Sequence, residues 1–154
     1  MKDPLNAGDL CMRSVTFVLP SMVLSEAARL MREHHVGCLV VVDQPSRDER
    51  IPIGMLTDRD IVSAVVAKDA DARTLRVGDV MSTGVATVRE QESLLDVLGV
   101  MRRRGVRRVP VLDTHGSLAG ILALDDVLEI VAEEMQAVAS AISAGNRNER
   151  FSRP

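Results

Sequence analysis

The sequence predicts an α+β fold: two β-α-β-β-α units packed about a pseudo-twofold axis. Three observations lead there. A strand-to-helix element occurs twice, as Gly54-Met55-Leu56-Thr57-Asp58-Arg59-Asp60 and as Gly120-Ile121-Leu122-Ala123-Leu124-Asp125-Asp126. Short apolar runs alternate with segments of helical periodicity, in the same order in both halves. A unit of roughly 60 residues cannot bury a sizeable core alone, so the two units should pack face to face with clefts between them.

Residues 1–7 carry little pattern and read as coil. Gly8-Asp9-Leu10-Cys11-Met12 then matches Gly78-Asp79-Val80-Met81-Ser82, and each is followed by an extended piece, Val15 to Val18 and Val85 to Val88. Leu24, Ala27, Ala28 and Met31 fall at helical spacing, as do Leu94, Val97, Leu98 and Met101. Ser21 or Ser25 suits the cap of the first helix, Gln91 to Ser93 opens the second, and Gly105 fits its end. Cys38 to Asp43 and Arg108 to Asp113 read as buried strands, with Pro110 at a strand start or an edge because it cannot donate to a ladder.

Polar turns follow, Gln44 to Arg50 and Thr114 to Ser117, and the strands Ile51 to Leu56 and Leu118 to Leu122 return along the first pair. Ile61, Val62, Val65 and Val66 mark a helix in the first half. Val127, Leu128, Val131, Met135, Val138 and Ile142 mark a longer one in the second. The expected organisation is therefore 8–66 for the first unit, 67–76 a polar linker, 77–131 the second unit, 132–144 a helical extension and 145–154 a disordered tail.

Composition narrows the function. Of 154 residues 46% are hydrophobic, yet Phe17 and Phe151 are the only aromatics, so the core must be aliphatic. A net charge of −3 gives no bulk attraction for nucleic acid, and single strands would find no stacking platforms. Two cysteines are too few for a disulfide framework. With no leader pattern and no apolar run long enough to span a bilayer, a reduced cytoplasmic protein away from membranes is expected. No nucleophile elbow, phosphate loop or oriented Cys–His pair is present, so no catalytic residue is expected.

The duplicated pattern resembles a tandem pair of cystathionine-β-synthase (CBS) domains, the Bateman module, over about residues 8–131. Gly105-Val106-Arg107-Arg108-Val109-Pro110 matches one family motif, which His35 to Val40 lacks; Gly54 to Asp60 matches the other fully, whereas Ala123 stands where the hydroxyl belongs in the second copy. The resemblance implies a regulatory, non-catalytic module binding an adenosine compound (AMP, ADP or ATP, alternatively S-adenosylmethionine or NAD) with no required cofactor. It also implies a homodimer formed through the CBS helices and a downstream protein that reads the ligand state. Leu24, Ala27 and Met31, with Leu94, Val97 and Met101, are candidates for the dimer contact, and the stripe on the final helix could extend it.

For the ligand, Asp60 would accept hydrogen bonds from ribose hydroxyls, with Asp126 its counterpart, and Thr57 would bond the ribose or α-phosphate. Thr57 and Asp60 equally form a capping box, and the two roles are compatible. Arg59, Arg107 and Arg108 are phosphate candidates, one of the last two pointing away if both lie in a strand. The Arg102 to Arg104 trio reads as a solvated helix end. Val15, Thr16, Val36 and Leu39, with Val85, Ala86, Val106 and Val109, are candidates for an adenine slot. The site on Asp60 should bind more tightly than that on Asp126. His34, His35 and Cys38 are too few for a metal site and read as a helix end beside a buried thiol, although His34 could neutralise phosphate. Two other readings stand beside this one: a dimerisation scaffold with decayed sites and, further behind, a small enzyme.

Overall fold

Each half opens with one helical turn whose Gly-Asp pair has a definite task. In the computed structural model, which describes residues 5–151, these turns are α1 (Ala7–Leu10) and α4 (Val77–Val80). The Asp9 carboxylate accepts from the backbone N–H of Asn6, and that of Asp79 from Arg76 at 2.8 Å, satisfying donors that would otherwise be orphaned at the helix start. Ala7 is fully buried, so the chain is already structured where coil is expected from the sequence.

After α1 come β1 (Phe17–Val18), α2 (Leu24–His34), β2 (Cys38–Asp43) and β3 (Ile51–Thr57). One turn of α-helix, α3 (Asp58–Ile61), continues as a π-helical turn over Val62–Val66. The second half repeats the order with β4 (Val88–Arg89), α5 (Leu94–Arg104), β5 (Arg108–Leu112), β6 (Leu118–Ala123) and α6 (Leu124–Phe151). Two three-stranded sheets result, β1-β2-β3 and β4-β5-β6, each with a parallel pair and an antiparallel pair. Pro110 sits in the third position of the middle strand β5, ahead of the point where β4 begins to pair at Val111. Its missing donor therefore faces no strand on that side.

The leading segments cross over. Ala7, Leu10 and Cys11 belong to the core of the second half, with Val97, Met101, Val109 and Leu122. Val77, Val80 and Met81 belong to the core of the first, with Leu24, Met31, Leu39 and Leu56. Met12 exchanges backbone hydrogen bonds with Ile121, and Ser82 with Met55, so each sheet carries a bridge from the other half on its β3 or β6 edge. This exchange answers the problem of small units: neither core closes without the other's leader.

Several expectations change. Neither Ser21 nor Ser25 caps α2, whose N-cap is Val23 with no side-chain bond. The linker supplies the acceptors instead: Leu24 N–H donates to Leu75 O at 2.9 Å and Ser25 N–H to Ala72 O at 3.2 Å. Ser93 caps α5 as expected, and Gly105 ends it in the left-handed region at φ 63°. In the first half His35 takes that conformation at φ 54°. The dimer face expected on Leu24, Ala27, Met31, Val97 and Met101 is core, each side chain being buried in its own half. The expected tail is helical as far as it is described: α6 runs to Phe151, continuing a helix already established over the alanine-rich stretch Ala137 to Ala144. Residues 152–154 of that tail lie outside the described residues.

Candidate functional site

The two strand-to-helix elements are built alike and finished differently. Asp58 N–H donates to Gly37 O at 3.0 Å and Leu124 N–H to Arg107 O at 2.8 Å, tying each helix start to the loop that precedes the neighbouring strand. In the first half Thr57 and Asp60 complete a reciprocal cap: Thr57 N–H donates to Asp60 Oδ2 at 2.9 Å, and Asp60 N–H donates to Thr57 Oγ1 at 3.1 Å. That leaves Asp60 Oδ1 to accept something else. In the second half Ala123 offers no hydroxyl, and among the described residues the Asp126 carboxylate accepts no hydrogen bond.

Each element looks across at the other half. A cleft of about 770 Å³ has Met55, Thr57, Asp58 and Arg59 on one wall, and on the other the loop Ser82 to Ala86 and the turn Arg104 to Arg108. A smaller cleft of about 300 Å³ has Ala123, Asp125 and Asp126 on one wall, facing Met12, Val15, Thr16 and His35 to Cys38. Cys38 and Arg108 line both, forming the partition between them.

The clefts differ in charge. Arg59, Arg104, Arg107 and Arg108 line the larger, against one carboxylate, Asp58. Arg104 donates to Gly84 O, which holds its guanidinium beside the loop. Arg107 pairs with Asp125 at 2.9 Å, but both side chains are about 70% exposed (72% and 70%), so this ion pair is weak and exchangeable. The smaller cleft sets Asp125 and Asp126 against Arg108 and His35. Burial pushes the Cys38 thiol up to about 11; Arg108 opposes the shift, while Asp60 and Asp58 add to it. It is a protonated, unreactive group at neutral pH.

The candidate residues are thus distributed crosswise. Thr57, Arg59, Ala86, Arg107 and Arg108 meet on the larger cleft, and Val15, Thr16, Val36, Asp126 and Arg108 on the smaller. Asp60 stands behind the wall, engaged by its cap. Leu39 and Val109 are fully buried in the two cores and line neither cleft, because both belong to the inward face of a strand. Arg107 precedes β5, so strand alternation does not separate it from Arg108. His35, not His34, reaches a cleft. Sequence reasoning missed Arg104; the signal for it is its place just before the left-handed Gly105, which turns the helix end toward the Gly84 loop. Among the described residues no group of three or more His, Cys, Asp or Glu side chains could hold a metal ion, and no helix is long and apolar enough to cross a membrane.

The comparisons agree with this arrangement. The CBS domain family model matches residues 7–67 and again 77–133. An uncharacterized protein of Methanopyrus kandleri is 34% identical over 126 residues, which are 82% of this chain and 62% of that protein. This chain therefore spans less than two thirds of that relative. Hypoxic response protein 1 of Mycobacterium tuberculosis is 36% identical over 132 residues, 86% of this chain and 85% of its own length. A crystal structure of Hypoxic Response Protein I, with two coordinated zinc ions, superposes at a TM-score of 0.69 with 35% identity, covering 80% of this chain and 97% of that one. The cytosolic domain of the Mg2+ channel MgtE, solved in complex with ATP, superposes at 0.68 with 28% identity over 81% of this chain and 48% of that one. With both halves matched and both crossing leaders in place, the chain belongs to the CBS domain family as a tandem pair of repeats.

Proposed function

We propose that this chain is a regulatory module that holds an adenine nucleotide in the larger cleft and signals its occupancy through the way its repeats sit together. One observation carries the reading: Thr57 and four arginines converge on a single cleft beside the apolar loop residues Val85 and Ala86. Guanidinium forks suit phosphate oxygens, a hydroxyl suits a ribose or phosphate, and small apolar side chains suit a purine face. The volume is that of a small-molecule site. Asp60, behind the wall, serves the cleft by capping and fixing the strand end that carries Thr57. The MgtE domain with ATP is a relative of this fold in which a nucleotide is bound.

The smaller cleft is a second, weaker site. Asp126 provides a free ribose acceptor and Val15, Thr16 and Val36 the purine wall. Ala123 withholds one polar contact, a loss of about 0.5–1.5 kcal/mol, and among the described residues Arg108 is the one guanidinium that lines this cleft. The basic larger cleft also ranks the ligands: AMP, ADP and ATP ahead of the cationic S-adenosylmethionine, with NAD between.

A thermal-shift series with these five compounds at millimolar concentration tests the reading, since a ligand that binds the native state raises its melting temperature. The largest shift is expected from the nucleotide with most phosphates. No shift from any of the five would leave the other reading, a dimerisation scaffold with empty clefts. That reading is favoured by Val62, Val66 and Leu95, apolar side chains that stand 55%, 68% and 80% exposed on the repeat helices. We assign the homodimer contact to these residues in either case.

A further inference from the structure

Arg107 belongs to one cleft and is paired into the other. Its side chain lines the larger cleft, while Nη2 donates to Asp125 Oδ1 at 2.9 Å, and Asp125 lines the smaller. The main chain cannot follow either partner, because Arg107 O accepts from Leu124 N–H at 2.8 Å. The guanidinium alone changes sides. Both members of the pair are mostly exposed, and such a pair shifts an equilibrium by no more than about fivefold, which a phosphate among four arginines can outweigh.

The duplicated fold carries this pair in its second copy. In the first, Gly37 and Arg59 stand at the positions of Arg107 and Asp125, a correspondence fixed by the matching bonds from Asp58 N–H to Gly37 O and from Leu124 N–H to Arg107 O. A Cβ at Gly37 would crowd Asp58 Oδ2 at 3.0 Å. The larger cleft thus has an arginine where the smaller has Asp125, and the smaller relies on the larger for the charge that neutralises that carboxylate.

A phosphate that draws Arg107 away leaves Asp125 uncompensated beside Asp126. Arg108, on the partition, faces that same phosphate. An anion entering the smaller cleft then meets two carboxylates and a cation already engaged. We propose that the clefts are negatively coupled: nucleotide in the larger takes Arg107 from Asp125 and lowers the smaller cleft's affinity for a second nucleotide by about 2- to 5-fold. Coupling between sites is reciprocal, so nucleotide in the smaller cleft keeps Arg107 on Asp125 and weakens the larger by the same factor. The proposal rests on the nucleotide reading of the larger cleft and adds how one site regulates the other.

Isothermal titration of the full chain with ATP reads both steps. Although Asp125 does not line the larger cleft, Asp125→Asn should tighten the stronger step about 2- to 5-fold, because Arg107 is released to that cleft. Glu129→Gln removes the same charge one turn further along the helix, outside both clefts, and should leave that step unchanged. Equal gains from the two variants would reduce the effect to overall charge and overturn the proposal. Arg59→Glu reverses a charge that lines the larger cleft and not the smaller, and should abolish the stronger step with Arg107 still on Asp125. The remaining step should then be about 2- to 5-fold tighter than the weaker step of the wild type, a gain that an added negative charge cannot itself produce. No gain there also overturns the proposal. Inorganic triphosphate needs the guanidinium groups and no purine wall. If it shows this pattern where ATP does not bind, the nucleotide reading fails and the coupling stands; if neither binds, both fail.

Discussion

Met55 and Ser82 exchange both of their backbone hydrogen bonds, at 3.0 and 2.9 Å, and thereby bring the leader of the second repeat flat against the third strand of the first. The residue beside Met55 is Gly54, and a Cβ there would lie 2.6 Å from the Met81 sulfur and 2.9 Å from Ser82 O. Gly120 stands in the same relation to Cys11 and Met12, at 2.5 and 2.8 Å. The motif glycine is therefore a steric requirement of the crossover.

Gly54→Ala and Gly120→Ala should each destabilise the fold by about 1–3 kcal/mol, the usual cost of overpacking. The side chain can swing away but the carbonyl cannot move without breaking the bridge. Urea denaturation measures it; a change below about 0.5 kcal/mol in both would mean that the leaders are not held as described.

The two helix ends make a reciprocal pair. Gly105 and His35 both adopt the left-handed conformation, and only glycine does so without a penalty of about 1 kcal/mol or more. His35→Gly should stabilise the protein by up to about 1 kcal/mol, and Gly105→Ala should destabilise it by a similar amount. The same denaturation curves check both, and His35→Gly should leave the larger cleft's affinity unchanged because His35 lines only the smaller.

The fold was legible because duplication doubles the signal: two registers of Gly-Asp, helix face and strand pair reinforce each other. What periodicity hides is which partner a face meets. Leu24 and Met135 obey the same spacing, yet the first is fully buried and the second 68% exposed. The cap of α2 comes from carbonyls of Ala72 and Leu75, and a carbonyl is common to every residue, so no local motif could announce it. The clefts were half legible. Thr57, Arg107 and Arg108 could be named from the motifs, but the motifs lie in one repeat each, and the sequence does not say that Thr57 faces Ala86 rather than Thr16.

Cys38 offers a test of the partition. Its pKa is raised to about 11 from the ordinary thiol value of 9.0, chiefly by burial. Because the folded state holds this proton more tightly, the associated stability is intact below pH 9 and is lost as pH climbs toward 11. Alkylation at pH 8 should run about 100-fold slower at Cys38 than at an unfolded cysteine, since only the thiolate reacts. Mass spectrometry of iodoacetamide-treated protein reads the site directly, and labelling at the unfolded rate would show that the thiol is open to solvent.

Asp60 and Asp126 separate stability from affinity. The Asp60 carboxylate completes a cap, so Asp60→Ala should cost about 1 kcal/mol of folding free energy. Asp126 makes no such bond, and the gain in helix propensity on replacing it with alanine offsets what its charge adds at the helix start. Asp126→Ala should therefore change stability by less than about 0.5 kcal/mol while removing the weaker of two binding steps in isothermal titration with AMP. Asp60→Ala should instead weaken the tighter step, because losing the cap frees the strand end that carries Thr57. If both variants weakened the same step, the two clefts would be one site; if neither altered binding, the ribose would be held by other groups.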